Sequence, residues 1–198
     1  MELSTKERIL ERALVSFAEN GYKGTNLRDL AAGLGLSKSA LYRHFDSKEA
    51  IWDAVLDRME SYYNARFSGG EQQRIPASCR ELYDIAMAML DFTVNDPQVI
   101  ITRRLLLVEQ FRDERAKHLA TAHFLDNTKA IYTGIFSGMM EKGLLKKDDP
   151  EMLAFAFTAP ITSLIQLCDR EPEQKEAAME QMRAFIRHFI GVYGTEAL

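Results

Sequence analysis

Lys38, Ser39, Tyr42, His44 and Lys48 place two ammonium groups, two hydroxyls and an imidazole within eleven residues. Such groups donate hydrogen bonds to phosphate oxygens, and lysine and serine can also address base edges. The chemistry they suggest is recognition of a polyanion, provided that one exposed side of a short helix carries them. Lys38 suits a phosphate or a guanine. Tyr42 offers a hydroxyl to phosphate and a ring to a thymine methyl. Lys48 falls in the first turn of the next helix, where a cation beside free main-chain amides makes a phosphate site. Thr25, at the start of the preceding helix, can act in the same way, and His44 reads as a phosphate contact in this setting.

Other chemistries find no residues to carry them. None of the four histidines, His44, His118, His123 and His188, has a glutamate three positions before it, which excludes a ferritin-like di-metal bundle. His118 and His123 are five apart, off the spacing that puts two imidazoles on one zinc. Cys79 and Cys168 frame neither a disulfide scaffold nor a four-thiolate site. No phosphate loop, nucleophile elbow or dinucleotide fingerprint occurs, and Arg112–Arg115 (RDER) reads as a solvated face. The expectation is a non-enzyme without metal or cofactor.

The recognition residues need a frame, and residues 27–46 (LRDLAAGLGLSKSALYRHFD) supply it as two helices joined by a turn. Ala31 lets the helices cross closely, and Gly35 can take the positive φ of a tight turn. Leu41 points back toward Leu30, Leu34 and Leu36. Ile9, Leu10, Ala13, Leu14, Phe17 and Ala18, at three- and four-residue spacing, form the apolar face of a preceding helix, stopped at Gly21. Thr25 or Asn26 caps the second helix, Ser37 the third, and Asp46 or Ser47 a fourth that runs to about residue 66. Residues 68–77 (SGGEQQRIPA) read as a linker. Further helices are expected over about 78–94, 97–108, 109–142 (with a break possible), 150–168 and 173–193. The fold is therefore all-α, about nine helices. Residues 1–46 make a three-helix helix-turn-helix head, 47–67 a connecting helix, and 68–198 a second helical domain.

Charge is divided unevenly along the 198 residues. Residues 1–50 hold eight Lys/Arg against seven Asp/Glu, a net +1, and the remainder holds 17 against 22, a net −5. That balance permits nucleic acid at the head and disfavours it at the body. From Met152 to Cys168 no residue is charged, which reaches the lower edge of a membrane span. Thr158, Pro160, Thr162, Ser163 and Gln166 interrupt it, and a helix buried on both faces is the simpler reading, with no membrane partner.

The head resembles the tetracycline-repressor (TetR) family of bacterial transcriptional regulators. The resemblance rests on G-x-x-x-T at Gly21–Thr25, L-x-x-L-A at Leu27–Ala31, G-L-S-K at Gly35–Lys38 and L-Y-R-H-F-D-S-K-E-A-I at Leu41–Ile51, about 45 residues in all. Ser39-Ala40 stands where Gly-Thr is common, so the base-reading surface stays open. Two free thiols and an N-terminal stretch without a signal-peptide pattern point to the cytoplasm. The resemblance implies a ligand-responsive homodimer on a palindromic DNA operator, a repressor rather than an activator, released by a small-molecule effector. It also implies dimerisation through the last two long helices. The apolar excess there singles out Leu164, Met182, Phe185, Ile186 and Phe189. An effector pocket among the middle helices is expected to draw on Phe92, Phe111, Phe124, Met139 and Phe155. Arg103 would meet an anionic effector there, or else pair with Glu109 or Asp113.

Overall fold

The structure, a computed structural model, describes residues 3–67 and 74–198, without the side chains of residues 64, 66 and 67. The expected linker over 68–77 therefore lies largely outside the described residues. Helices are α1 (Thr5–Gly24), α2 (Leu27–Ala32), α3 (Lys38–Tyr42), α4 (Lys48–Phe67), α5 (Cys79–Asn95), α6 (Pro97–Glu109), α7 (Glu114–Thr121), α8 (Asn127–Glu141), α9 (Pro150–Arg170) and α10 (Lys175–Tyr193). A π turn over Ala122–Asp126 runs α7 into α8, so the expected break at 109–142 falls at residues 110–113 and the helix then continues with a defect. The fold is all-α. The chain forms two compact units, one of residues 1–67 and 101–120, the other of residues 68–100 and 121–198.

In the first unit, α1 begins with a capping box: Ser4 Oγ accepts the Glu7 N–H at 3.3 Å and Glu7 Oε2 accepts the Ser4 N–H at 2.8 Å. Ile9, Ala13, Leu14 and Phe17 are buried along one face, as their spacing requires. Asn26 rather than Thr25 caps α2, its Oδ1 accepting from the Arg28 N–H at 2.8 Å. Ser37 caps α3 through the Ala40 N–H at 3.1 Å, and Ser47 rather than Asp46 caps α4 through the Ala50 N–H at 3.1 Å. Gly35 turns the chain between α2 and α3 at φ 69°. Buried Ala31 and Leu41 join the two helices there.

Residues 101–120, read from sequence as part of the second domain, pack with the head. Leu105, Leu106, Ala116 and Leu119 are buried in this unit. The RDER segment is more than a solvated face. Asp113 Oδ2 accepts from the Trp52 indole N–H at 3.2 Å, and Arg115 pairs with Asp53, Asp57 and Glu60 on α4.

The second unit is built from α5, α8, α9 and α10 around an aromatic core. Phe157 centres it, with ring centroids 4.7 Å from Tyr132, 5.5 Å from Phe136 and 4.7 Å from Phe189. Asp149 caps α9 by accepting from the Glu151 and Met152 amides at 2.9 and 3.3 Å, and Pro150 fills the first turn, where a missing N–H costs little. The uncharged helix is not buried on both faces within one chain. Leu153, Ala154, Phe157 and Thr158 face the core, while Met152 is 61% and Phe155 47% exposed. By length and apolar composition α9 could cross a membrane, but its inner face is committed to this aromatic core.

Candidate nucleic-acid interface

Helix α3 is only five residues long, and Leu41 and Phe45 fix its orientation by inserting into the head core. This leaves Lys38, Ser39, Tyr42 and His44 exposed together on α3 and the turn after it. Lys38 Nζ stands 5.6 Å from the Tyr42 ring centroid, a cation–π distance that gathers the two groups. Ser39 Oγ lies 2.9 Å from Ser37 Oγ, so its hydroxyl is oriented by the helix cap. Arg43 and Arg28 add exposed cations that the motif reading passed over. Lys6, at the start of α1, sets its ammonium 5.3 Å over the Phe45 ring, beside the α3–α4 turn. Each could have been found as a cation flanking the recognition segment.

Two expected contacts take different roles. Thr25 is 4% exposed; its hydroxyl lies 3.0 Å from the carbonyl oxygens of both Ser16 and Gly21 and accepts from Ser16 Oγ at 3.3 Å. Its own N–H donates to Gly21 O at 3.2 Å. Thr25 is thus a strut between α1 and α2, with no donor left for phosphate. Lys48 is half-buried: its Nζ donates to Thr25 O at 2.6 Å and lies 4.7 Å over the Tyr22 ring. The cation locks α4 to the α1–α2 junction, and its further N–H donors stay available to an anion.

Tyr22 ties this corner together. Its hydroxyl donates to Glu49 Oε1 at 2.7 Å, and its ring meets Phe17 and Trp52 at centroid distances of 5.8 and 5.3 Å. Burial foremost, and then the Glu49 carboxylate, push the Tyr22 phenol up to about 12. The same hydrogen bond holds Glu49 below the ordinary carboxylate range. Because the folded state keeps this phenol protonated where an unfolded chain would ionise near 10, its stabilising contribution is full below pH 10. That contribution is lost as pH rises from there through 12. Titration followed by phenolate absorbance should show a tyrosine step near 12 that Tyr22→Phe loses, while the fully buried Tyr132 ionises later still; a wild-type curve without the step near 12 contradicts the packing described.

The residues expected to line an effector pocket are divided between the two units. Phe111 is 86% exposed in the α6–α7 turn, and Arg103 is buried in α6, both in the first unit. In the second unit Met139 is fully enclosed in the core, Phe155 is exposed on the outer face of α9, and Phe92 and Phe124 are half-buried. Met139 is a packing residue of that core. The expected dimer contacts divide similarly. Met182, Ile186 and Phe189 are spent on the chain's own core, because α10 turns its largest side chains inward. Leu164 and Phe185 are half-buried against that core. The outer seam of α10 is instead Ala177, Gln181, Ala184, His188 and Val192.

A five-residue helix held by a buried leucine after a glycine turn, presenting lysine, tyrosine and histidine, defines a helix-turn-helix DNA-binding protein. The chain belongs to the tetR family of bacterial regulatory proteins: that family's sequence profile matches residues 9–55, and a profile described as the AefR-like transcriptional repressor C-terminal domain matches residues 80–195. It is accordingly a DNA-binding transcriptional regulator and not an enzyme.

Among relatives, the biofilm operon icaADBC negative transcriptional regulator IcaR of Staphylococcus aureus strain Newman is 39% identical over 59 residues, 30% of this chain and 32% of IcaR. The match thus spans about a third of that relative's length. Solved structures share the fold across nearly the whole chain. A TetR regulator from Chloroflexus aurantiacus gives a TM-score of 0.73 at 22% identity, covering 94% of each chain. The SmeT–triclosan complex gives 0.72 at 18% identity, covering 98% of this chain and 93% of that one; SmeT is the repressor of a Stenotrophomonas maltophilia multidrug efflux pump. A regulator from Saccharomonospora viridis in complex with choline gives 0.71 at 20% identity, covering 96% and 98%.

Proposed function

We propose that the chain is a cytoplasmic, homodimeric repressor that binds a palindromic operator and leaves it when a small-molecule effector binds. The observation that carries this reading is the joint exposure of Lys38, Ser39, Tyr42 and His44 on a helix fixed from behind by Leu41. Residues 1–46 act as the reading head and 47–67 as the connecting helix, while 68–198 serve effector binding and dimerisation, with the segment 101–120 packed in the unit of the head. Two heads would then enter successive major grooves about 34–36 Å apart. The effector acts only through its different affinity for bound and released states, about 1–3 kcal/mol of coupling, transmitted by a shift of α4. The triclosan and choline complexes of structural relatives support a small-molecule ligand; they do not name this one.

The open seams of α9 and α10 support dimerisation. Met152, Phe155 and Ala156 on α9 and Ala184 and Val192 on α10 are exposed apolar side chains, with half-buried Ala159 and exposed His188 beside them in sequence. A second copy would cover them by close helix packing.

Binding as a function of salt tests the head assignment. About 6–10 phosphate contacts per dimer predict log K falling against log salt with a slope of about −5 to −9. Lys38→Ala should weaken the preferred site by about tenfold or more and change the preference among sequences, because each bidentate base contact is worth about 1–3 kcal/mol. A uniform loss across sequences makes Lys38 a phosphate contact, and a slope near zero removes the interface from this face.

A further inference from the structure

Near the C-terminal end of α1 the chain turns at a kink on Gly21, whose φ of 71° and ψ of 169° form a conformation that essentially only glycine adopts. The group that meets this turn comes from 87 residues away. Glu109, the last residue of α6, is 2% exposed, and its Oε1 accepts the Tyr22 main-chain N–H at 2.9 Å. A Cβ on residue 21 would stand 2.8 Å from that same oxygen. The glycine is therefore demanded twice, by its own dihedrals and by the approach of the carboxylate.

From Tyr22 the connection runs on to the recognition surface. The Tyr22 ring supports the Lys48 ammonium, Lys48 Nζ donates to Thr25 O, and Asn26, one residue later, caps α2. On the other side, Arg112 Nη1 lies 4.0 Å from Glu109 Oε1, and Asp113 both receives the Trp52 indole N–H and caps α7 through the Ala116 N–H at 2.8 Å. A buried carboxylate is a costly way to fill space, since desolvation offsets much of its attraction. What it gives here is direction: one acceptor aimed at one amide at the junction that orients α2 and α4. Glu109 also ends α6, the helix whose residues are divided between the two units.

We propose that Glu109 is a positioning residue for DNA binding, holding the Gly21–Asn26 junction so that α2 and the Lys48 ammonium keep the geometry that fits a DNA duplex. This rests on the DNA-binding assignment. It acts through the Tyr22 amide and touches no phosphate.

The test measures duplex affinity and its salt slope for the intact protein with Glu109→Leu, which fills the volume without an acceptor, and Glu109→Gln, which keeps an acceptor oxygen. Glu109→Leu should bind about tenfold or more weakly, with a salt slope no steeper than that of wild type and a displaced Tyr22 ¹⁵N–¹H resonance, while Glu109→Gln stays within about threefold of wild type. Wild-type affinity in Glu109→Leu overturns the role, as does an equal loss in both variants with Tyr22 unmoved. Should Glu109→Leu fail to fold, hydrogen exchange of the wild-type protein on DNA decides: the Tyr22 N–H should be protected there, and fast exchange overturns the role. A wild-type protein without salt-dependent duplex binding overturns the DNA-binding assignment itself, a result distinct from wild-type binding beside an unaffected variant.

Discussion

Ala184→Glu is expected to convert the proposed dimer into monomers of 22.6 kDa by light scattering and to lower operator affinity by about 10²–10⁴-fold. Ala184 is exposed on the outer seam of α10, one residue from Phe185 and two from Ile186, which face the chain's own core. The substitution thus leaves that core intact and retains a good helix former. In a two-fold interface each glutamate would be buried against the other copy's seam, and its desolvation opposes association. A monomer grips only one half-site, so the gain from tethering two heads disappears. Unchanged helical content by circular dichroism would exclude unfolding as the cause. A variant that stays dimeric and binds as before removes the α9–α10 seam as the interface.

Phe157→Ala should cost about 3–5 kcal/mol of stability, the range for emptying a large buried aromatic site. Phe157 is wholly buried, with the rings of Tyr132, Phe136, Phe185 and Phe189 at centroid distances between 4.7 and 6.0 Å. Rings packed edge to face here do not collapse readily into the cavity left by one of them. Phe111→Ala is the control: at 86% exposure it should fall within about 0.5 kcal/mol of wild type. Denaturant midpoints measure both. Equal effects at the two positions would contradict the core assignment.

The comparison of those two phenylalanines shows what the sequence makes legible. Periodicity and caps are local, so α1, the Ser37 cap and the inward Leu41 could be read directly from residue types a few positions apart. The recognition residues followed, because fixing Leu41 inward places Lys38, Ser39, Tyr42 and His44 outward. Whether an apolar side chain meets its own core, a partner or solvent depends on chain segments distant in sequence. Phe111 was therefore expected in a pocket and stands in the open. Met182, Ile186 and Phe189 were expected at a partner and lie inside. On α10 the large side chains went inward and the alanines outward, so residue size there marks the side of the chain's own core.

Thr25 illustrates the same boundary at short range. Its position before α2 suggested a cap, but Asn26 has the better reach to the free amide, and the threonine hydroxyl is drawn to Ser16 and Gly21 on α1. The Glu109–Tyr22 bond had no local signature at all. A glutamate ending a helix reads as solvated until the fold brings an amide to it.

Selection of bound duplexes from a random DNA pool, with Tyr42→Ala as control, tests the central claim most directly. A specific dimeric regulator should enrich one palindrome whose half-sites lie about one helical turn apart, and the Tyr42→Ala protein should not. Enrichment of no sequence by the wild-type protein, or of the same palindrome by both proteins, would contradict the assignment of α3 as the reading helix.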